Sequence, residues 1–234
     1  MRKELMLSNI RAVAFDLDDT LWDIVPVIAR AERRLLDWLR EHCPRIPERL
    51  SIEDMRAARM QLAQEEPHNA HDYTYLRTRA LERHARECGY DESIAQRAFE
   101  VFYAARNELD VFGDVRPALE RLSARYTLAT LSNGNADLKR IGLASYFSVS
   151  LSARDVGVAK PHPRAFQALI DALQMEPSEI LYVGDDPELD VAGACAAGLQ
   201  VAWMNRRGSE WPDTLPRVPA LRVRDCEELA AHLT

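Results

Sequence analysis

Residues 10–20 read Ile-Arg-Ala-Val-Ala-Phe-Asp-Leu-Asp-Asp-Thr. Ile10–Phe15 is a short, mainly apolar run of strand length, and the acidic stretch Asp16-Leu17-Asp18-Asp19-Thr20 ends it at once. Acids directly after a buried strand either shape a turn or open onto a site. The rest of the chain decides between the two.

Downstream the period becomes helical. Ile24, Val27, Ile28, Ala31, Leu35, Trp38 and Leu39 recur at helical spacing, and Pro44 and Pro47 close the segment. Ser51-Ile52-Glu53-Asp54 has the form of a helix start, a hydroxyl followed three residues later by an acid. A further helix is expected over about 71–88, with Gly89 just past its end, and another after a cap at Asp91, reaching about Asn107. Beyond Phe112-Gly113-Asp114 the pattern changes again. A helical segment over 115–125 precedes strands expected at 126–131, 147–151, 180–183, 200–203 and, more weakly, 221–223, with a Pro-containing surface loop at 211–219. Strands alternating with helices imply a parallel sheet covered on both faces. The expected fold is therefore α/β, a Rossmann-like parallel sheet built from residues 1–22 and 112–234. A helical subdomain, residues 23–111, is inserted after the first strand.

Bulk properties narrow the function. Apolar residues are 47% of the 234, enough for a real core. The formal net charge of −7 argues against nucleic acid as a partner, because that binding rests on basic patches. No apolar run approaches the roughly 20 residues of a bilayer span, and the N-terminal stretch lacks a leader's continuous apolar core. Cys43, Cys88, Cys195 and Cys226 are scattered, without CxxC spacing, so a reduced, cytoplasmic protein is expected. Only three of the 30 basic residues are lysines (Lys3, Lys139 and Lys160), so a lysine in a suggestive loop is unlike the chain's ordinary filler.

Ligands of open α/β sheets bind beyond the carboxyl ends of the strands. Here the first strand ends in Asp16–Thr20, the second in Leu131-Ser132-Asn133-Gly134, and the fourth in Gly184-Asp185-Asp186, with Asp190 a turn later; Lys160-Pro161 follows the third. Each alone has a bland reading as a turn, cap or solvated charge. Converging, they form a phosphate and cation site. Asp16, Asp185 and Asp190 offer the oxygens that Mg²⁺ prefers, Lys160 offsets charge on a phosphoryl group, and Ser132 Oγ donates to its oxygens. Asp186, before Pro187, is expected to cap the following helix. Asp19 is read as structural and Thr20 as bonding locally. Asn133 is read as either a substrate contact or a turn former. His68 and His71 are read as solvated, and Arg77 and Arg79 as insertion residues able to meet a substrate.

On these residues the chain resembles the haloacid dehalogenase superfamily. The four motifs are DLDDT (16–20), LSNGN (131–135), Lys160 within VAKPHP, and GDDPELD (184–190) followed by VAGACAAG. The resemblance covers essentially the whole chain and implies that 23–111 is a helical cap of the C1 type. It also implies Asp16 as nucleophile, Asp18 as general acid/base whose backbone carbonyl also faces the metal, Ser132, Asn133 and Lys160 as phosphate ligands, and Asp185 and Asp190 with Asp16 as Mg²⁺ ligands. Dehalogenases of the superfamily need no metal and typically lack the second aspartate, here Asp18, so a phosphatase is expected over a dehalogenase. A phosphomutase shares every core residue, and a non-enzymatic binding protein is the reading of a different class. The stretches FDLDDTLWDIVPVIARAE, HDYTYLRTRALE and TLSNGNADLKRIGLASYF further resemble a bacterial group associated with flavin mononucleotide and 5-amino-6-(5-phosphoribitylamino)uracil. The alternative is a broad-range phosphatase of sugar phosphates, phosphoglycolate or nucleotides. The expected partner is a small phosphorylated metabolite, with Trp22, Tyr73 and Tyr75 as aromatics able to stack on a heterocycle or pack a core. The expected state is a monomer or homodimer.

Overall fold

A computed structural model describes residues 9–218 and 220–234. The first eight residues, which carry Lys3 and the start of the stretch read for a leader, and Pro219, at the end of the expected surface loop, lie outside them.

Strand β1 (Ala12–Phe15) has all four side chains wholly buried, which is why its sequence is a continuous apolar run rather than an alternating one. It starts two residues later than expected: Arg11 pairs its side chain with Glu179 at 3.1 Å, immediately before the neighbouring strand Ile180–Gly184. The other strands are β2 (Thr127–Ser132), β3 (Val149–Ser152), β4 (Ile180–Gly184), β5 (Gln200–Met204) and β6 (Leu221–Val223). They form one sheet in the order β3-β2-β1-β4-β5-β6, every neighbouring pair parallel. Phe15 lies opposite both Thr130 of β2 and Val183 of β4, so these three strands end nearly level. The chain moves outward from β1 to β3 on one side, then returns to β4 on the other. The reversal between β1 and β4 is the place where such sheets leave a crevice.

The helices are α1 (Ile24–His42), α2 (Ile52–Glu65), α3 (Tyr73–Glu87), α4 (Ile94–Asn107), α5 (Val115–Ser123), α6 (Leu138–Ile141), α7 (Ala153–Val156), α8 (Pro163–Leu173), α9 (Gly193–Ala196) and α10 (Cys226–Leu233). The chain divides into two compact units. The sheet unit comprises residues up to Asp23, Asp110–Gly134 and Gly142–Thr234; the helical unit comprises Ile24–Leu109 and Asn135–Ile141. No residue periodicity signals that 135–141 join the helices. They are tied there by side-chain amides: Asn135 Nδ2 donates to Thr74 Oγ1 at 3.1 Å, and Asn107 Oδ1 accepts from the Asp137 amide at 2.8 Å.

In the helical unit, Ala31, Leu35 and Leu39 of α1 pack with Leu81 of α3 and with Ala98, Phe99 and Phe102 of α4, the stripe that the helical spacing indicated. Helix α2 opens with a reciprocal cap: Ser51 Oγ accepts from the Asp54 amide at 3.1 Å, and Asp54 Oδ2 accepts from the Ser51 amide at 2.8 Å. Helix α4 begins three residues after Asp91. That residue accepts from the Ser93 amide at 2.8 Å, forming a turn ahead of the helix rather than its cap. Glu32 of α1 is buried and bonded to Arg56 and Arg59 of α2, with Arg77 of α3 at 4.0 Å and lying over the Phe102 ring.

In the sheet unit, Phe166 of α8 packs edge-on against Tyr182 of β4, with ring centroids 5.4 Å apart. Burying a side chain of that size stabilises by about 2–3 kcal/mol. Gly193 lets α9 approach this layer: a Cβ there would lie 2.8 Å from the Phe166 ring. Phe166→Ala removes this packing under the strand that leads into Asp185.

Candidate active site

Asp16 follows β1 directly, and its amide donates to the Val183 carbonyl of β4 at 2.8 Å, extending the ladder by one residue. This places the Asp16 carboxylate, itself buried, at the β1/β4 reversal. Asp185 follows β4 on the other side of that crevice. Pro187–Ala192 then makes a wide, π-helical turn capped by Asp186, whose Oδ1 accepts from the Glu188 and Leu189 amides at 2.8 Å each. The turn brings Asp190 back over the strand end. Gly184 makes room: a Cβ at that position would lie 2.3 Å from the Asp190 carboxyl carbon. Among the described residues, the carboxylates of Asp16, Asp185 and Asp190 form a cluster with oxygens within 4.8 Å of one another.

Lys160 lies between α7 and α8 and is 4% exposed. Its ammonium donates to Asp16 Oδ1 and Asp190 Oδ1 at 2.6 Å each and to the Tyr182 hydroxyl at 2.8 Å, which uses all three of its hydrogens. Tyr182 in turn donates to the Leu131 carbonyl at 2.8 Å. The Asn133 amide is occupied by the backbone of Lys160, donating to its carbonyl at 3.0 Å and accepting from its N–H at 2.7 Å. Asn133 thus holds the lysine loop, a third role beside the two that the sequence left open. Ser132 is buried at the end of β2, with its Oγ accepting from the Gly134 amide at 3.0 Å.

Asp18 stands beside the carboxylate cluster, near enough for its charge to act on Asp16. Its Oδ1 accepts from the Trp22 indole at 2.8 Å, and its carboxylate is outside the acidic cluster. Asp19 has a positive φ of 59° and is 3.4 Å from Arg207. Thr20, expected to bond locally, instead reaches across the chain: its hydroxyl donates to Asp185 Oδ1 at 3.2 Å. Trp22 is wholly buried, so of the two roles open to it, stacking on a heterocycle or packing a core, the structure has the second. The Tyr75 hydroxyl donates to Glu66 at 2.6 Å, and Tyr73 is exposed. His68 is exposed, and Arg79 pairs with Glu82 at 2.9 Å.

Electrostatics match the geometry. Burial acts against the Lys160 charge, but the Asp16 and Asp190 carboxylates outweigh it and hold its pKa well above the usual lysine range. Burial, with the like charge of Asp190, raises Asp16 well above the usual carboxylate range against the pull of Lys160. Asp185 is pushed up to about 7, first by burial and then by Asp190 and Asp19. One ammonium among three clustered carboxylates leaves an excess of negative charge and of hard oxygen donors, the environment a divalent cation such as Mg²⁺ fits.

A family model described as a haloacid dehalogenase-like hydrolase matches residues 10–198. The 5-amino-6-(5-phospho-D-ribitylamino)uracil phosphatase YigB of Escherichia coli (strain K12) is 33% identical over 218 residues, covering 92% of this chain and 91% of that protein. The crystal structure of a 2-haloacid dehalogenase from Pseudomonas syringae pv. Tomato DC3000 is similar with a TM-score of 0.89 at 38% identity, covering 96% of this chain and 98% of that one. The crystal structure of a HAD phosphatase from Thermococcus onnurineus gives a TM-score of 0.69 at 26% identity, covering 96% and 98%.

Proposed function

The chain belongs to the haloacid dehalogenase-like hydrolase family and is an enzyme of its phosphatase branch, and within that branch we propose a Mg²⁺-dependent phosphomonoesterase acting through an aspartyl-phosphate on Asp16. The observation that carries this reading is the Asp16, Asp185 and Asp190 cluster with the Lys160 ammonium bonded to two of its members. The carboxylates of Asp16, Asp185 and Asp190 and the Asp18 backbone carbonyl would hold the cation. When bound, Mg²⁺ offsets the negative charge of the phosphoryl group and of the carboxylates around it.

The chain's own residues account for the rest. An Asp16 carboxylate oxygen attacks phosphorus, the bond from phosphorus to the ester oxygen breaks, and Asp18 gives its proton to the departing alkoxide. Asp18, now ionised, takes a proton from water. That water attacks phosphorus, the bond to Asp16 breaks, and inorganic phosphate leaves. Lys160 keeps Asp16 oriented, and Ser132, buried at the end of β2, would donate from its Oγ to a phosphoryl oxygen. Asp16→Asn should keep the fold and lose at least a thousandfold in phosphate release; retained turnover in that variant refutes the assignment.

The similarity to a 2-haloacid dehalogenase supports a second reading. Against it stands Asp18, an acid that an alkoxide leaving group requires and a halide does not. Halide release from 2-haloacids without added metal would favour the dehalogenase.

As substrate we propose a small phosphorylated metabolite: 5-amino-6-(5-phosphoribitylamino)uracil on the strength of the E. coli relative's named substrate and its coverage of nearly the whole chain, or flavin mononucleotide on the strength of the motif resemblance alone. With the former the enzyme serves riboflavin biosynthesis, and residues 23–111 act as its cap. A phosphate-release panel with Mg²⁺ tests it, and similar kcat/KM for these compounds and unrelated sugar phosphates would favour the broad-range alternative. A cytoplasmic location is supported by four free cysteines, and no helix among the described residues is long and apolar enough to cross a membrane.

A further inference from the structure

The loop that carries Asp16 and Asp18 is gripped from a strand that contributes no catalytic group. We infer that Arg206, two residues past β5, is a positioning residue that fixes the Asp185 carboxylate for the cation by way of Thr20. This rests on the cation-assisted reading above.

Arg206 Nε donates to the Thr20 carbonyl at 2.9 Å. Thr20 is wholly buried, and its hydroxyl donates to Asp185 Oδ1 at 3.2 Å. The other end of the guanidinium is a fork on Asp114, Nη1 to Oδ1 at 3.1 Å and Nη2 to Oδ2 at 2.8 Å. Asp114 is fixed in turn, because its Oδ2 also accepts from the Cys226 amide at 2.8 Å. Arg206 Cζ lies over the Phe112 ring, 4.1 Å from its centre, and the Phe112 amide donates to the Leu21 carbonyl at 3.0 Å. Asp185 is held from β5 a second time, since the Trp203 indole donates to its carbonyl at 2.9 Å.

These contacts close a ring. Trp203 fixes the backbone of Asp185, Arg206 fixes the backbone of Thr20, and the Thr20 hydroxyl joins that backbone to the Asp185 carboxylate. A carboxylate that must serve a cation needs its rotamer set by a partner outside the ligand shell, and such partners commonly govern affinity. The guanidinium suits the task because it donates in three directions within one rigid plane. A lysine keeps the charge but cannot hold Asp114 and Thr20 together.

The test is Mn²⁺ binding to the purified full-length chain without substrate, followed by calorimetry or by the electron-paramagnetic-resonance signal of free Mn²⁺. Arg206→Lys and Thr20→Val should each weaken binding about tenfold, while Thr20→Ser, which keeps the hydroxyl, should stay within about twofold of the parent. In turnover, the half-saturating Mg²⁺ concentration should rise by the same factor, with kcat at saturating Mg²⁺ and KM for the ester changed less than about threefold. Melting curves report folding. If Arg206→Lys does not fold, the nearly isosteric Thr20→Val and Thr20→Ser pair decides. Unchanged Mn²⁺ affinity in folded Arg206→Lys and Thr20→Val, alongside its loss in Asp185→Asn, overturns this inference and leaves the cation site standing. Absence of Mn²⁺ binding by the parent overturns both.

Discussion

The Trp22 indole donates to Asp18 Oδ1 at 2.8 Å, and the Trp22 carbonyl accepts from the Asp19 amide at the same distance. One buried tryptophan thus closes the loop after β1 and sets the direction of the second aspartate. Trp22→Phe keeps most of the buried ring and removes the N–H. The expected result is a kcat about tenfold lower on alkyl phosphates, little change in KM, and a stability loss of about 1–2 kcal/mol. Steady-state kinetics and a urea titration measure the two effects. Unaltered kcat in a folded variant means that Asp18 does not depend on the indole.

Asp18 has two duties in the proposed cycle, and leaving-group chemistry separates them. Asp18→Asn should lower turnover of alkyl phosphates by about 10²–10⁴. On p-nitrophenyl phosphate, whose leaving group needs no proton, the first step survives while hydrolysis of the intermediate slows. Rapid quenching should then show a burst of about one nitrophenolate per chain before a slow steady state. Equal loss on both ester types, with no burst, would contradict the assignment.

The pH dependence comes from Asp185. Its carboxyl is pushed up to about 7 in the metal-free protein, first by burial, while the unfolded chain titrates near 3.9. Between these values the folded state holds a proton that the unfolded state has released. Asp185 therefore costs the metal-free fold more as pH rises from about 4 to about 7, and the full cost persists above. Asp185→Asn should stabilise the metal-free protein at pH 8 by about 1–2 kcal/mol, allowing for partial exposure, and abolish the rise in Tm on adding Mg²⁺. In the parent, that rise should be larger at pH 8 than at pH 6, and chelation should remove turnover. A Mg²⁺-induced shift that shrinks as pH rises through 7 would be the opposite sign.

Glu32 holds the helical unit by charge. Replacing it with glutamine preserves shape but leaves Arg59 and Arg77 largely buried without their counter-charge. The expected loss is about 3 kcal/mol by denaturant titration. Arg77→Met added to Glu32→Gln should recover part of that loss, because it removes one stranded cation; strict additivity would show that the groups do not interact.

Much of this architecture is legible in the residues alone. Strands β1 and β4 correspond to short apolar runs, and acids stand where those two runs stop, whereas β3 (Val-Ser-Leu-Ser) carries a weaker signal. Lys160 stands out because the chain otherwise relies on arginine, and it is a buried hub of the site. What escapes a sequence reading is whatever depends on a partner far along the chain. Tyr182 looks like one more apolar-strand residue, and only its hydroxyl hints at a need for polar partners. Arg206 is one arginine among many, and Thr20 looks local because its partner is Asp185, 165 residues on. The wide turn at Pro187–Ala192 reads like an ordinary helix start, since the Pro and Asp cap signals are common to both.

Gly184 makes positions 184 and 190 dependent on each other. A side chain at 184 and a carboxylate at 190 compete for the same volume, so neither can vary without regard to the other. A mutagenesis library selected for turnover should therefore be depleted of every side chain at 184, although that position takes no part in the reaction. Alanine should first be tolerated there in backgrounds where Asp190 has already become glycine and activity is gone. The coupling between the two positions, measured as non-additivity of Tm between Gly184→Ala and Asp190→Gly, would reveal the packing of the acidic cluster with no reference to activity.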